Sequence, residues 1–268
     1  MFLWFTNLAY PIQAFIAAIF TWAITSLGAT VVFLFKKVNK SVLDAMLGFA
    51  AGVMIAATFF SLLSPSIEMA EELNMIPWIV VSLGFLCGGL LLFLGDKFFE
   101  LIMRKSNKNN GNKSSLKRAV MLISSMTIHN IPEGMAIGVA FGSIVYGIEG
   151  ATVSAALMLA IGIGIQNFPE GTAVALPLRR EGMSRSKAFL FGCLSGIVEP
   201  ISAVIGAILV LKVQFLLPIL LAFAGGAMVY VVVQELIPES QTNKKKDLMA
   251  LFTILGFIVM MIFDVALG

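Results

Sequence analysis

Two six-residue segments hold most of the reactive side chains in the apolar part of this chain. They are His129-Asn130-Ile131-Pro132-Glu133-Gly134 and Gln166-Asn167-Phe168-Pro169-Glu170-Gly171, one pattern repeated 37 residues apart. A further glutamate followed by proline, Glu199-Pro200, joins them. Imidazole nitrogen together with carboxylate and amide oxygens is a donor set for a borderline divalent ion such as zinc, or for iron or manganese. Residues four apart share a helix face, so His129 points with Glu133 and Gln166 with Glu170. Each proline removes a backbone N–H and is expected to free the carbonyl four residues back, at Ile128, Ile165 and Gly196. Irregular backbone of that kind is tolerated at membrane depth where it lines a cavity.

The elements that must position these residues follow from composition. The 268 residues are 59% hydrophobic and 12% charged, with a mean hydropathy of +0.97; soluble domains carry a charged share near ~25%. A soluble enzyme is excluded. So are a disordered chain, a disulfide scaffold and a nucleic-acid binder, because apolar content is high, there are two cysteines and the net charge is +3. Eight apolar runs stand out, at 12–35, 44–64, 77–99, 119–145, 151–178, 187–211, 215–235 and 248–267. Each reaches the roughly 20 residues a helix needs to cross the hydrocarbon, and the runs are continuous rather than alternating, so helices are expected and strands are not. The expected fold class is all-α: a polytopic membrane protein with eight transmembrane helices in a single transmembrane domain over 1–268. No basic stretch precedes the first run, which reads as a retained helix and not as a signal peptide.

Basic residues set the orientation. Lys36, Lys37 and Lys40 follow the first run; Arg104, Lys105, Lys108, Lys113, Lys117 and Arg118 lie between the third and fourth; Arg179, Arg180, Arg185 and Lys187 between the fifth and sixth; Lys244, Lys245 and Lys246 between the seventh and eighth. These sixteen of eighteen occupy alternate connections, which the positive-inside rule makes cytoplasmic, so both termini are expected outside the cytoplasm of a cell-membrane protein. The opposite connections carry Glu68, Glu71, Glu72 and Glu149. The Asn-, Ser- and Lys-rich stretch 104–118 is expected to be a flexible cytoplasmic loop.

An ionised side chain at mid-bilayer costs about 2.5–3.5 kcal/mol, and three unpaired glutamates roughly 8–10 kcal/mol together. A lone Pro-Gly pair is ordinarily a kink, and a lone Asn or Gln is ordinarily glue between helices. Neither explains two copies of a six-residue pattern, one of them holding the chain's single histidine; a metal or cation site explains both. For Gln166, Asn130 and Asn167 taken alone, packing and ligation weigh equally. Pairs such as Gly48/Gly52, Gly134/Gly138 and Gly192/Gly196 suit close helix packing, and Cys87 and Cys193 read as small apolar residues. Gln234, Glu235 and Glu239 read as a charged helix end, with a relay role open. Asp44, Asp96 and Asp264 read as interfacial.

The paired N-x-P-E-G motifs, GFAAGVM in the second run with SLLSPSIE after it, Glu199-Pro200, and QELIPES in the seventh run together resemble the ZIP family of divalent metal transporters, particularly its GufA-like bacterial branch. The resemblance covers nearly the whole chain. It implies eight helices, with helices 1–3 and 6–8 forming inverted repeats around helices 4–5 and both termini outside the cytoplasm, which agrees with the topology above. It also implies one metal position built from His129, Glu133, Gln166, Glu170 and Glu199. A second, adjacent position would use Asn130 and Asn167 with the same glutamates bridging, and Met54 of GFAAGVM is a further candidate ligand. One departure stands out: the 104–118 loop lacks the histidines that many members carry there, which puts metal buffering by that loop in doubt.

The function expected is transport of divalent cations into the cytoplasm by alternating access, zinc foremost, with cadmium, iron or manganese as alternatives. The metal is cargo at the transport site and no resident cofactor is expected. The partners expected are metal ions and the lipid bilayer, with no nucleic acid; the oligomeric state is open, a homodimer included. Two other classes were weighed. An intramembrane metallohydrolase would let the metal activate water, but five side chains would saturate the ion and no HExxH is present. A non-transporting sensor would be expected to carry an appended soluble domain, and none is read here.

Overall fold

The computed structural model describes residues 3–34, 40–107, 114–147, 151–180 and 182–267, and among them there is no strand. After a short turn at Leu3–Thr6, the chain forms α1 (Tyr10–Leu34), α2 (Lys40–Glu72), α3 (Pro77–Asn107), α4 (Ser114–Ser143), α5 (Val153–Arg180), α6 (Arg185–Lys212), α7 (Leu217–Ser240) and α8 (Lys246–Leu267). Among the described residues, seven of these, all but α4, are long and apolar enough to cross a membrane. Of the 104–118 loop, α3 takes up the part to Asn107 and α4 the part from Ser114; 108–113 lie outside the described residues.

Local sequence sets several helix ends. Pro11, Pro77 and Pro218 sit in the first turns of α1, α3 and α7, where no N–H partner is needed. Ser184 caps α6, its hydroxyl accepting from the Lys187 N–H at 3.4 Å. The helix α6 is discontinuous: it stops at Ser195, turns through Gly196 and Ile197, and restarts at Val198. That turn corrects one expectation, because the Gly196 carbonyl is not left free but accepts the Glu199 N–H at 3.0 Å. Glu199 thereby lands in the first turn of the restarted half, where the helix dipole favours a negative charge.

Two π-helical turns interrupt the central helices, Thr58–Leu63 in α2 and Val232–Leu236 in α7. Each shortly precedes a proline, Pro65 or Pro238. Such insertions shift the register of one turn and recur at functional sites. The most apolar windows of α2 and α7 are both 61% buried, against 22% in α3 and 17% in α8, so α2 and α7 lie inside the bundle and α3 and α8 on its outside. The buried aliphatic core runs through α2, α4, α5, α6 and α7 and includes Met54, Leu62, Ile137, Phe141, Ile163 and Met228.

Glycines let the helices touch backbone to backbone. A Cβ on Gly52 of α2 would run into the Thr253 carbonyl of α8, and one on Gly256 of α8 into the Phe49 carbonyl. The helices α7 and α3 meet in the same way, through Gly226 against Phe85 and Gly88 against Phe223. Overpacking of this kind costs about 1–3 kcal/mol or more. Gly52→Leu is therefore expected to lower the thermal midpoint and the monodisperse yield in detergent, while Gly95→Leu, where a Cβ meets nothing within 4 Å, leaves both unchanged; fluorescence-detected size-exclusion chromatography after heating reads the difference.

Candidate metal centre

Three helices deliver the motif residues to one buried region. The helix α4 brings His129, Asn130 and Glu133, α5 brings Gln166, Asn167 and Glu170, and the restarted half of α6 brings Glu199; all seven are 0–3% exposed. The motif glycines make this possible. Gly134 lies against the Glu199 backbone and Gly171 against the Thr25 carbonyl, each so close that a side chain would displace a neighbouring helix. The prolines and glycines are thus positional, and the His/Gln, Asn and Glu side chains carry the chemistry.

Hydrogen bonds tie the set together. Gln166 Nε2 donates to Glu133 Oε1 at 2.8 Å, and the Glu133 and Glu170 carboxyls lie within hydrogen-bond reach of each other. Asn167 Nδ2 donates to Glu199 Oε2 at 2.9 Å. Thr21 Oγ1 donates to the same oxygen at 2.5 Å, and Thr25 Oγ1 to Glu199 Oε1 at 3.3 Å. Asn130 Nδ2 donates to the Ser195 carbonyl at 3.0 Å, just before the break in α6. Three donors therefore hold Glu199 in place; two of them occupy Oε2, and Oε1, with one donor, keeps a lone pair.

The atoms left over are the ones a metal would use. Buried polar atoms are almost always hydrogen-bonded. Eleven buried side-chain atoms here have no hydrogen-bond partner among the described residues, and seven belong to the motif pair: both His129 nitrogens, which have only acids nearby, Asn130 Oδ1, Glu133 Oε2, Gln166 Oε1, Asn167 Oδ1 and Glu170 Oε1. In every amide the nitrogen is anchored and the oxygen is not. Nitrogen and oxygen donors of this mixture suit zinc, iron(II) or manganese.

The donors are not gathered on one point. Among the described residues, no three His, Cys, Asp or Glu side chains converge closely enough to hold a metal ion. His129 stands beside acids of α3 and α7, its Nδ1 lying 3.4 Å from Glu235 and its Nε2 4.0 Å from Asp96. Met54 is 1% exposed, in the aliphatic core of α2, and none of the contacts described here joins it to the carboxylates.

Several residues differ from their sequence reading. Asp96 and Glu235 are not span-end charges: their side chains, 25% and 31% exposed, flank buried His129, and Tyr230 donates to Asp96 at 3.1 Å. Asp44 is fully buried and accepts from Asn243 Nδ2 at 2.8 Å. Asp264 accepts from Ser61 at 2.5 Å and its other oxygen is buried without a partner. Thr21 and Thr25 have no sequence reading above; they share one face of α1, and only the packing of α1 against Glu199 makes them donors. At the end of the bundle where α2 closes, a cleft of about 230 Å³ is lined by Ser61, Ser64, Glu68, Thr152 and Asp264 among others.

The model of the ZIP zinc transporter family matches residues 9–119 and 112–264. The chain is 37% identical to human zinc transporter ZIP11 over 96% of this chain and 97% of that protein. It is 36% identical to zinc transporter ZIPB of Bordetella bronchiseptica over 92% of this chain and 79% of that one, and 33% identical to zinc transporter GufA of Myxococcus xanthus over 94% and 98%. With its paired motif residues buried together on α4 and α5, the chain belongs to the ZIP zinc transporter family.

Proposed function

We propose that this protein carries divalent metal cations, zinc foremost, across the cell membrane into the cytoplasm by alternating access at a mid-membrane site. The observation that carries the reading is the coincidence of two sets of atoms: those left unpartnered in the buried centre are the donors a divalent ion needs. The relatives' names, all zinc transporters, support zinc and support a transporter rather than an enzyme.

One metal position would draw on His129, Glu133, Gln166, Glu170 and Glu199, and a second on Asn130 and Asn167 with the glutamates shared. Ligation requires these side chains to draw together, with His129 giving up its contact to Glu235. In the cycle, the cleft with Glu68 and Asp264 concentrates cations from outside, the carboxylates replace their water, and Asp96 and Glu235 receive the ion beyond His129. In this reading α4 is the eighth membrane span. The matched contacts of α2 on α8 and of α7 on α3, with Phe49, Gly52 and Met54 answering to Phe223, Gly226 and Met228, support inverted repeats of helices 1–3 and 6–8 around helices 4–5.

Purified protein in liposomes is expected to take up zinc saturably, with cadmium, iron(II) and manganese competing in proportion to their affinity; no uptake above empty liposomes would reject the reading. Orientation has a separate check. A cysteine replacing exposed Glu71 is expected to react with a membrane-impermeant maleimide in intact cells, and one replacing exposed Lys244 only after the cells are opened. Reversed labelling would invert the topology.

A further inference from the structure

A large apolar recess lies outside the metal centre. It is a groove of about 640 Å³ between α2, α5 and α8. Its walls are aliphatic and aromatic along nearly their whole length, with Phe49, Phe168, Phe252 and Leu255 among them. Polar groups line it at one end only, where Lys245 and Ser41 stand together. Nζ of Lys245 has no carboxylate within ion-pair distance among the described residues. Two acids are close in sequence or structure. Asp44 is fully buried and accepts from Asn243, whose Oδ1 in turn accepts the Lys245 N–H, and Asp247 is exposed in the first turn of α8. Lys40, Lys244 and Lys246 are also exposed at this end, so its net charge is positive.

The groove has the length of one leaflet. From Lys245 to Leu255 is ten residues, about 15 Å along a helix, and half of a bilayer's hydrocarbon core is also about 15 Å. An apolar slot of that depth, open to lipid and crowned by an unpaired cation, is complementary to an acyl chain bearing an anionic headgroup. It is not complementary to a soluble ligand, which would bury no polar group along the walls, or to a zwitterionic lipid, which brings its own cation.

We propose that this groove is a binding site for one anionic phospholipid, its phosphate at Lys245 and one acyl chain along Phe49, Phe168 and Phe252. In the orientation proposed above, the lipid comes from the cytoplasmic leaflet. Its position couples it to the metal helix. Ile165, Phe168 and Pro169 share the groove face of α5, and Gln166 and Glu170 share the adjacent face, one residue on. Pro169 leaves the Ile165 carbonyl without its usual helical donor, so a chain seated there packs on the kink that sets the metal ligands.

The test reads lipid directly, so that it can fail or succeed independently of the transport assignment. Purified protein is equilibrated with equal amounts of phosphatidylglycerol and phosphatidylcholine and retained lipid is counted by native mass spectrometry. One phosphatidylglycerol per chain is expected, preferred about fivefold over phosphatidylcholine, which is the attraction of one surface lysine. Lys245→Glu is expected to abolish the preference and Lys245→Arg to keep it, while Ala45→Phe, filling the slot, lowers retention of both lipids. A brominated-chain phosphatidylglycerol quenching a Phe252→Trp reporter gives the same reading should the filled variant be poorly folded. Equal retention of the two lipids by wild type, or a preference unmoved in Lys245→Glu, would overturn the proposal.

Discussion

Glu170→Ala is expected to accumulate in the membrane at the wild-type level and to lose zinc uptake by about 100-fold or more. The structure separates the two effects. Glu170 is 3% exposed, its Oε1 has no partner, and it sits close to Glu133 with the charges of Glu199 and Glu235 acting against it. Removing it relieves repulsion among like charges and breaks none of the bonds that position Glu199. Disturbing even groups that only orient a metal's ligands typically costs 10–100-fold in metal affinity or activity, and loss of a ligand lies at or beyond the upper end. Thr172→Val provides the contrast. Thr172 donates to the Gly28 carbonyl at 2.9 Å, between α5 and α1, and offers no metal-facing oxygen. Its loss should lower the thermal midpoint in detergent and leave the uptake rate per folded molecule nearly intact. Liposome uptake normalised to folded protein, read beside the melting curve, distinguishes the pair; normal uptake in Glu170→Ala would remove the site from this region.

What the sequence disclosed and what it hid have separate causes. Helices are declared by unbroken apolarity, because hydrocarbon forbids an unpaired backbone. The seven site side chains on α4, α5 and α6 are declared by repetition, because two copies of one pattern must answer to one another. Both signals are local. Asp96 and Glu235 were misread because distance from a span end was taken as depth. The helix α3 continues to Asn107, eleven residues past Asp96, and the π-turn of α7 reorients Glu235 toward His129. The burial of Asp44 was hidden for a related reason: it lies in the first turns of α2, and Asn243, far along the chain, folds over it. The donors from Thr21 and Thr25 depend on α1 packing beside the break in α6, which no local pattern encodes. One longer-range signal was present, Phe-Ala-Ala-Gly-Val-Met at 49–54 against Phe-Ala-Gly-Gly-Ala-Met at 223–228. It pairs α2 with α7 and so points to Ser61 and Glu235 as related positions, each within a π-turn and each set beside an aspartate-bearing helix.

At saturation the wild-type protein is expected to hold two metal ions and the Asn130→Ala/Asn167→Ala variant one. The argument is one of charge and of free lone pairs. Glu133, Glu170 and Glu199 total −3 when ionised; one divalent ion leaves −1 and two leave +1. A buried site of either sign is costly unless a proton or a small anion such as hydroxide balances it. Neutral amide oxygens raise the number of ligands without adding charge, and Asn130 Oδ1 and Asn167 Oδ1 are buried without a hydrogen-bond partner, as is Gln166 Oε1 of the first position. Removing both should release the second ion and spare the first, which has His129, Gln166 and the glutamates. Asn167 also donates to Glu199, so a loss through that bond must be told apart from loss of a ligand. Thr21→Val removes another donor to the same Glu199 oxygen and no amide ligand, and it should retain two ions. Metal binding requires the carboxylates deprotonated and the imidazole neutral, so protons compete and affinity should fall as pH falls, with proton release on binding. Calorimetric titration at two pH values, with anomalous scattering at the zinc edge to count ions, measures both; one ion in the wild type, bound with the same affinity at both pH values, would defeat the paired-site reading and the proton competition together.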